Sequence, residues 1–191
     1  TWSLMDDPKG DGKVIMTNGG KKWGIHDLVT KKKYGDFEGH VEFLMMGTRG
    51  DDGVEGYTNS GVYLQNRFEM QIESPKSKKN IADPYSWKIG PHGIGAFCME
   101  HVPSGNAWRP NGEWHAFHFI FKAGKWDGDK AVEPARATVW WNGVKIHDNV
   151  PIKKANGGEK VGPSPEGLKL QEHGQDVRFR NIWIVDKSEK K

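Results

Sequence analysis

Cysteine is almost missing from this sequence: among 191 residues there is one, Cys98. An internal disulfide framework and a zinc cluster built from cysteines are therefore excluded, and Cys98 is expected to pack as a small apolar side chain. Long hydrophobic runs are missing as well, since nothing approaches the roughly 20 apolar residues of a membrane span. Charge of one sign does not dominate, because 28 basic side chains meet 25 acidic ones for a formal charge of +3. Lys31-Lys32-Lys33, the segment 76–79 and the tail 187–191 read as solvated loops rather than a phosphate-binding stripe, so nucleic acid is not an expected partner. No internal repeat and no amphipathic helical pattern of any length appears.

What is abundant is turn chemistry. Twenty-five glycines and ten prolines, with many Asn-Gly, Asp-Gly and Gly-Gly pairs, point to a turn-rich β protein. Apolar residues make up 35% of the chain and gather in short alternating runs, which is how a sandwich fills its interior. The length suits one domain spanning 1–191. The chain begins at Thr1 rather than Met, which fits the removal of an export signal.

The most informative stretch is Asn59 to Ser74, read as one central strand. From Val62 it alternates with period two, setting Val62, Leu64, Phe68, Met70 and Ile72 on one face and Tyr63, Gln65, Arg67, Glu69, Gln71 and Glu73 on the other. The first face can enter a core. The second combines a ring, amides, a guanidinium and carboxylates, a donor and acceptor set suited to a polyol.

Other segments extend the pattern. Phe37, Val41, Phe43 and Met45 alternate with Glu38, His40 and Glu42, which predicts a strand with His40 solvated. Phe117, Phe119 and Phe121 predict another core strand, and Asn142-Gly143 predicts a tight hairpin in which Trp140 and Trp141 point to opposite faces. One of these two tryptophans can be core while Trp140 stacks on a sugar ring. Gly93 to Phe97 reads as a strand entry with close backbone approach, and Trp108 and Arg109 as the tip of a loop. Near the end, Leu168 and Leu170 turn Lys169, Gln171 and His173 outward. Val177 and Phe179 leave Arg178 and Arg180 outward, and the phase break before Ile182 predicts a bulge near Asn181. The polar loop between Gly47 and Ser60 holds Asp51, Asp52 and Glu55, carboxylates suited to a calcium ion, although their spacing is not that of an EF-hand.

Taken in order, Asp36-Phe37-Glu38, Asn59-Ser-Gly-Val-Tyr-Leu-Gln, Arg67-Phe-Glu-Met-Gln-Ile, Gly95-Ala96, Gly112-Glu-Trp-His, Asn142-Gly-Val, Leu170-Gln-Glu-His-Gly and Val177-Arg-Phe-Arg-Asn-Ile resemble the 3-keto-disaccharide hydrolase domain family. The resemblance covers nearly the whole chain. It departs after Gln71-Ile72, where Glu73-Ser74 stands in place of the family's common Leu-Asp and shifts the second carboxylate by one position. The resemblance implies an all-β concanavalin A-like jelly-roll sandwich of two antiparallel sheets, a periplasmic or extracellular setting, and an oligosaccharide or glycoside substrate.

It also implies chemistry on glycosides whose C3 hydroxyl has been oxidised to a ketone. The ketone acidifies the C2 proton, so that a base can remove it, the aglycone leaves C1, and water adds to the unsaturated ketone. Glu69 and His173 are the expected base and acid, in either order. Arg180 or Arg178 is expected at the enolate, with Tyr63, Gln71 and Gln171 on hydroxyls and Gln65, Arg67, Glu73 and Trp140 completing the binding surface. Two other classes compete: a non-catalytic carbohydrate-binding module of the same fold, and a retaining glucanase, which needs two carboxylates roughly 5 Å apart. Glu69 and Glu73 are too widely spaced along one strand for the latter, about 13 Å at ordinary strand rise.

Overall fold

The computed structural model describes residues 2–10, 12–17, 26–47, 57–75, 83 and 85–188. The proposed calcium loop around Asp51, Asp52 and Glu55 lies outside the described residues, as does the 76–79 lysine segment. Among the described residues there is no helix, and therefore none long and apolar enough to cross a membrane.

Among the described residues thirteen strands build the fold: β1 (Trp2–Asp6), β2 (Lys13–Thr17), β3 (Leu28–Val29), β4 (Phe37–Met45), β5 (Asn59–Leu64), β6 (Phe68–Glu73), β7 (Trp114–Lys122), β8 (Lys125–Asp127), β9 (Lys130–Glu133), β10 (Ala135–Trp141), β11 (Val144–Ile152), β12 (Lys169–Leu170) and β13 (Val177–Asp186). Sheet A runs β1-β2-β13-β4-β7-β10-β11, sheet B runs β3-β12-β5-β6, and β8-β9 is a separate hairpin. All of the pairings are antiparallel.

The two sheets face each other across one apolar interior, so the protein is an all-β sandwich. From sheet A come Phe37, Val41, Phe43, Phe117, Phe119, Phe121, Val139 and Trp141, and from sheet B Val62, Leu64, Phe68, Met70, Ile72 and Leu170. Phe68 and Phe121 meet between the layers with ring centroids 5.8 Å apart. Alternate residues of β4, β6, β7 and β10 supply this interior, as the pleat requires. Trp108 is also buried in it, so it is not the loop tip read from the sequence.

Local backbone features explain the turns. Asn142 and Gly143 both take left-handed angles, φ 50° and 84°, as a two-residue primed hairpin demands. Asn181 sits at φ 46°, and the β13–β4 register shifts between Arg180 and Trp183, which is the predicted bulge. The central stretch differs from its reading as one strand. Gln65 and Asn66 adopt φ 50° and fold it into the β5–β6 hairpin, with Leu64 opposite Phe68. Because three residues form the bend, the alternation keeps its phase through it. Tyr63 therefore lies directly across from Glu69, and Gly61 across from Gln71.

Gly93 to Phe97 forms no strand. It docks along the free edge of β6 instead: Gly95 donates its N–H to the Gln71 carbonyl, the Gln71 N–H donates to the Ala96 carbonyl, and Gly95 takes φ 76°. A Cβ there would come 2.7 Å from Ile146 Cδ1, so the bend has little room for a side chain.

Candidate active site

On the outer face of sheet B, one row of side chains crosses three strands: Lys169 on β12, Tyr63 on β5 and Glu69 on β6. Gly61 is what lets Glu69 lie flat there, because a Cβ would meet the carboxylate Oε1 at 2.6 Å. Two loops then wall the face. The 91–98 segment brings His92 and Cys98 to the β6 side, and the 153–165 loop brings Asn156 and Gly157 over the top. The result is an open pocket of about 330 Å³ lined by Asn59, Tyr63, Glu69, Gln71, His92, Cys98, Asn156, Gly157, Gln171 and His173.

Glu69 is 4% exposed. Burial pushes its pKa up to about 7, although hydrogen bonds from Tyr63 and Asn156 and the positive charge of Lys169 pull the other way. Asn156 donates an amide N–H to Oε2 of Glu69. A carboxyl group titrating near neutrality exists partly as a base and partly as an acid at physiological pH, as proton-transfer catalysis requires.

The surroundings keep this group from being neutralised by a direct ion pair. Lys169, the nearest cation in the row, is buried and bonds Asp27 at 3.0 Å, with its ammonium 3.7 Å from the centroid of the Tyr63 ring. Gln171 Nε2 donates to the Tyr63 hydroxyl at 3.0 Å. Burial, together with the Glu69 charge, pushes the Tyr63 phenol far above its ordinary value, so it holds its proton. The same two causes raise the Cys98 thiol to about 11. Cys98 is thus a neutral, half-buried wall residue with its Sγ 3.4 Å from His92 Nδ1, rather than apolar filling.

Three of the lining residues carry a buried amide oxygen without a partner among the described residues: Asn59 Oδ1, Gln71 Oε1 and Gln171 Oε1. Buried acceptors left unpaired are costly unless a ligand supplies donors, and sugar hydroxyls are such donors. His173 lines the rim, where its Nδ1 lies 3.1 Å from Gln175 Oε1.

The structure brings together five of the residues chosen from the sequence: Glu69, His173, Tyr63, Gln71 and Gln171. It sends the others elsewhere. Gln65 and Arg67 sit at the hairpin bend and act as struts: Gln65 Nε2 donates to the Tyr34 carbonyl at 2.8 Å, and Arg67 donates to the carbonyls of Lys160 and Ser164 at 2.6 and 2.9 Å. Arg67 thereby ties down the loop that carries Asn156, whose own N–H bonds the Arg67 carbonyl. Glu73 is on the right face but past the pocket, accepting from the Tyr57 hydroxyl at 3.0 Å.

Arg178, Arg180 and Trp140 belong to sheet A, on strands β13 and β10. Arg178 pairs with Asp176 at 3.2 Å. Arg180 is held by Glu42 at 2.6 Å and by Asp7, and packs its guanidinium 4.0 Å from the Trp114 ring centroid. Neither arginine lines the pocket, so the enolate role given to them does not survive. Trp140 borders a different depression with His118 and His40. Asn59, His92, Cys98 and Asn156 are the residues that the sequence reading missed. Asn59 could have been found from period two, which sets it on the same face as Tyr63, whereas the other three arrive on loops with no periodic signal.

No described group of three or more His, Cys, Asp or Glu side chains is placed to hold a metal ion.

Comparison with known proteins agrees with this picture. The family profile described as 3-keto-alpha-glucoside-1,2-lyase-like domain matches residues 2–185. A crystal structure from Parabacteroides distasonis ATCC 8503, provisionally described as a glycosyl hydrolase, is 28% identical and superposes with a TM-score of 0.72, covering 91% of this chain and 71% of that one. A second structure from the same organism with the same description is 21% identical, with a TM-score of 0.58 and coverage of 91% and 80%, and shows the shared fold. No curated protein matches the chain.

Proposed function

The chain belongs to the 3-keto-alpha-glucoside-1,2-lyase-like domain family and is a carbohydrate-active enzyme of the glycoside hydrolase or lyase kind; on that premise we propose that it cleaves 3-keto-glycosides by removing the C2 proton. One observation carries the reading: among the described residues lining the pocket, Glu69 is the sole carboxylate, and it is buried, with its pKa raised to about 7. Cleavage of an ordinary glycoside by the usual route asks for two carboxylates flanking the bond, one as acid and one as nucleophile or base. Elimination next to a ketone asks for one base.

In this scheme Glu69 takes the C2 proton, and the C–H electron pair moves through C2 to the C3 carbonyl oxygen, giving an enolate. With the arginines on the other sheet, that oxygen is met by neutral donors, the side-chain amide of Gln71 and the second amide N–H of Asn156, while the Tyr63 hydroxyl stays on Glu69. As the enolate collapses, the C1–O bond breaks, its electrons stay on the aglycone oxygen, and His173 supplies the proton. The products are an alcohol and a 1,2-unsaturated 3-ketone. Water then adds across the double bond: its hydroxyl goes to C1, its remaining proton to His173, and the proton held by Glu69 to C2, which completes a net hydrolysis and restores both side chains.

The test is to incubate the protein separately with a glucoside and with its 3-keto derivative. Release of aglycone from the keto compound alone supports the proposal. Cleavage of the unoxidised glucoside would replace it with a conventional glycosidase, and binding without turnover of either would make the domain a carbohydrate-binding module.

A further inference from the structure

The outer face of sheet A carries a second cluster that the Glu69 pocket does not use. Outward residues of four adjacent strands fall in one cross-strand row: Trp183 on β13 pairs with His40 on β4, His40 with His118 on β7, and His118 with Trp140 on β10. The rings meet in sequence. Trp183 and His40 stack at 5.6 Å between centroids and 8° between planes, His40 and His118 lie 6.2 Å apart, and His118 and Trp140 lie 5.3 Å apart. The row continues to Lys145 on β11, whose ammonium is 6.0 Å from the Trp140 ring centroid. At about 4.8 Å per strand, the four rings extend roughly 14 Å, a length that suits a short run of linked pyranose rings.

A water-facing sheet normally presents polar side chains. Here Trp183 is 38% exposed and Trp140 is partly exposed. The small residues Ala116 and Gly143 leave a shallow depression of about 490 Å³ against His40, His118 and Trp140. Nε2 of His40 is buried beneath this depression, with the Glu42 carboxylate at its side. Glu38 and Glu42 border the row, the former 3.4 Å from His118 Nε2 and the latter 3.6 Å from His40 Nε2.

From this geometry we infer that the Trp183-His40-His118-Trp140 ladder is a second saccharide-binding surface, which takes a neutral gluco-oligosaccharide lying across the strands. The ring faces suit the apolar C–H patches of pyranoses, and the bordering carboxylates and imidazoles take up their hydroxyls. A protein partner on the same surface would have to strip water from Glu38, Glu42, Arg180 and Lys145, whereas sugar hydroxyls replace that water. The carboxylates also repel nucleic acid. Because the ladder and the Glu69 pocket lie on different sheets, a chain held at one leaves the other open.

The experiment titrates cellohexaose and, separately, maltohexaose into the full chain while following the indole N–H signals by NMR. Saturable binding of at least one hexasaccharide, with Trp140 and Trp183 signals moving, is expected. Trp140→Ala and Trp183→Ala should each weaken it roughly tenfold, Trp140→Tyr should retain most of it, and Glu69→Gln should leave it unchanged. Thermal unfolding of each variant guards against a folding defect, and Trp183→Tyr replaces any alanine variant that fails to fold. The inference is overturned if neither hexasaccharide binds at millimolar concentration, if the folded alanine variants bind as well as the parent, or if Glu69→Gln abolishes binding. Self-association that the tryptophan substitutions abolish would also overturn it, by assigning the ladder to a second copy of the chain. None of these outcomes depends on a keto sugar, so the ladder and the proposed reaction stand or fall separately.

Discussion

Glu69 and Glu42 are the same residue type, each facing outward from its sheet, and they end in opposite electrostatic states. Burial tends to raise both. On sheet A, hydrogen bonds from Asn181 at 2.9 Å and Arg180 at 2.6 Å, with the arginine's charge, outweigh it and hold Glu42 below the usual carboxylate range. On sheet B a loop roofs Glu69, and the cation in its row is already committed to Asp27, so burial wins. A carboxylate on a sheet face is thus made into an ion-pair member or a near-neutral base by what lies above it, not by the strand that carries it.

The sharpest way to break this contrast is to neutralise each member. Glu69→Gln should lower turnover of a 3-keto-glycoside by about 10² to 10⁴-fold in a steady-state assay, the range lost with a general base, while Glu42→Gln leaves it unchanged. Equal losses would erase the distinction.

The second effect concerns stability. The Glu69 pKa is raised from 4.5 to about 7 on folding, so both states hold the proton below pH 4.5, and stability falls as pH rises through 7 because the unfolded chain gives up its proton first. Glu69→Gln should therefore be the more stable protein at pH 8, by up to about 3 kcal/mol in denaturant unfolding, and the gap should close below pH 4.5.

Next in size is Arg67→Ala, which leaves the Lys160 and Ser164 carbonyls without their donor. It should cost about 2 kcal/mol in urea unfolding and loosen the roof over Glu69. A more selective cut is Asn156→Ala, which removes a hydrogen bond to the charged form of Glu69. The acid limb of the pH–rate profile should move to higher pH, with little change on the alkaline side. The smallest effect belongs to Arg180→Met, expected to cost about 1 kcal/mol for a partly exposed ion pair and to leave turnover intact.

Much of the fold was legible because strand alternation is a local rule. Val62 to Ile72, Phe117 to Phe121 and the Asn142-Gly143 turn all follow from spacing and backbone preference. The site was legible only in part. Period two shows that Glu69 and Arg180 both point outward, but outward from which sheet is decided by strand order, and β6 and β13 lie in different sheets. The bend at Gln65-Asn66 was hidden because three residues preserve the phase, so the pattern looks unbroken while the chain reverses. Asn156 and the His92–Cys98 wall come from loops whose docking depends on tertiary contacts, such as the Arg67 struts, that no periodicity announces.

The most direct test of the central claim is proton exchange at C2. In D₂O, a 3-keto-glucoside incubated with the protein should incorporate deuterium at C2 or release its aglycone, with an apparent pKa near 7, and both processes should vanish in a folded Glu69→Gln variant. Undiminished exchange in that variant would show that Glu69 is not the base and contradict the account.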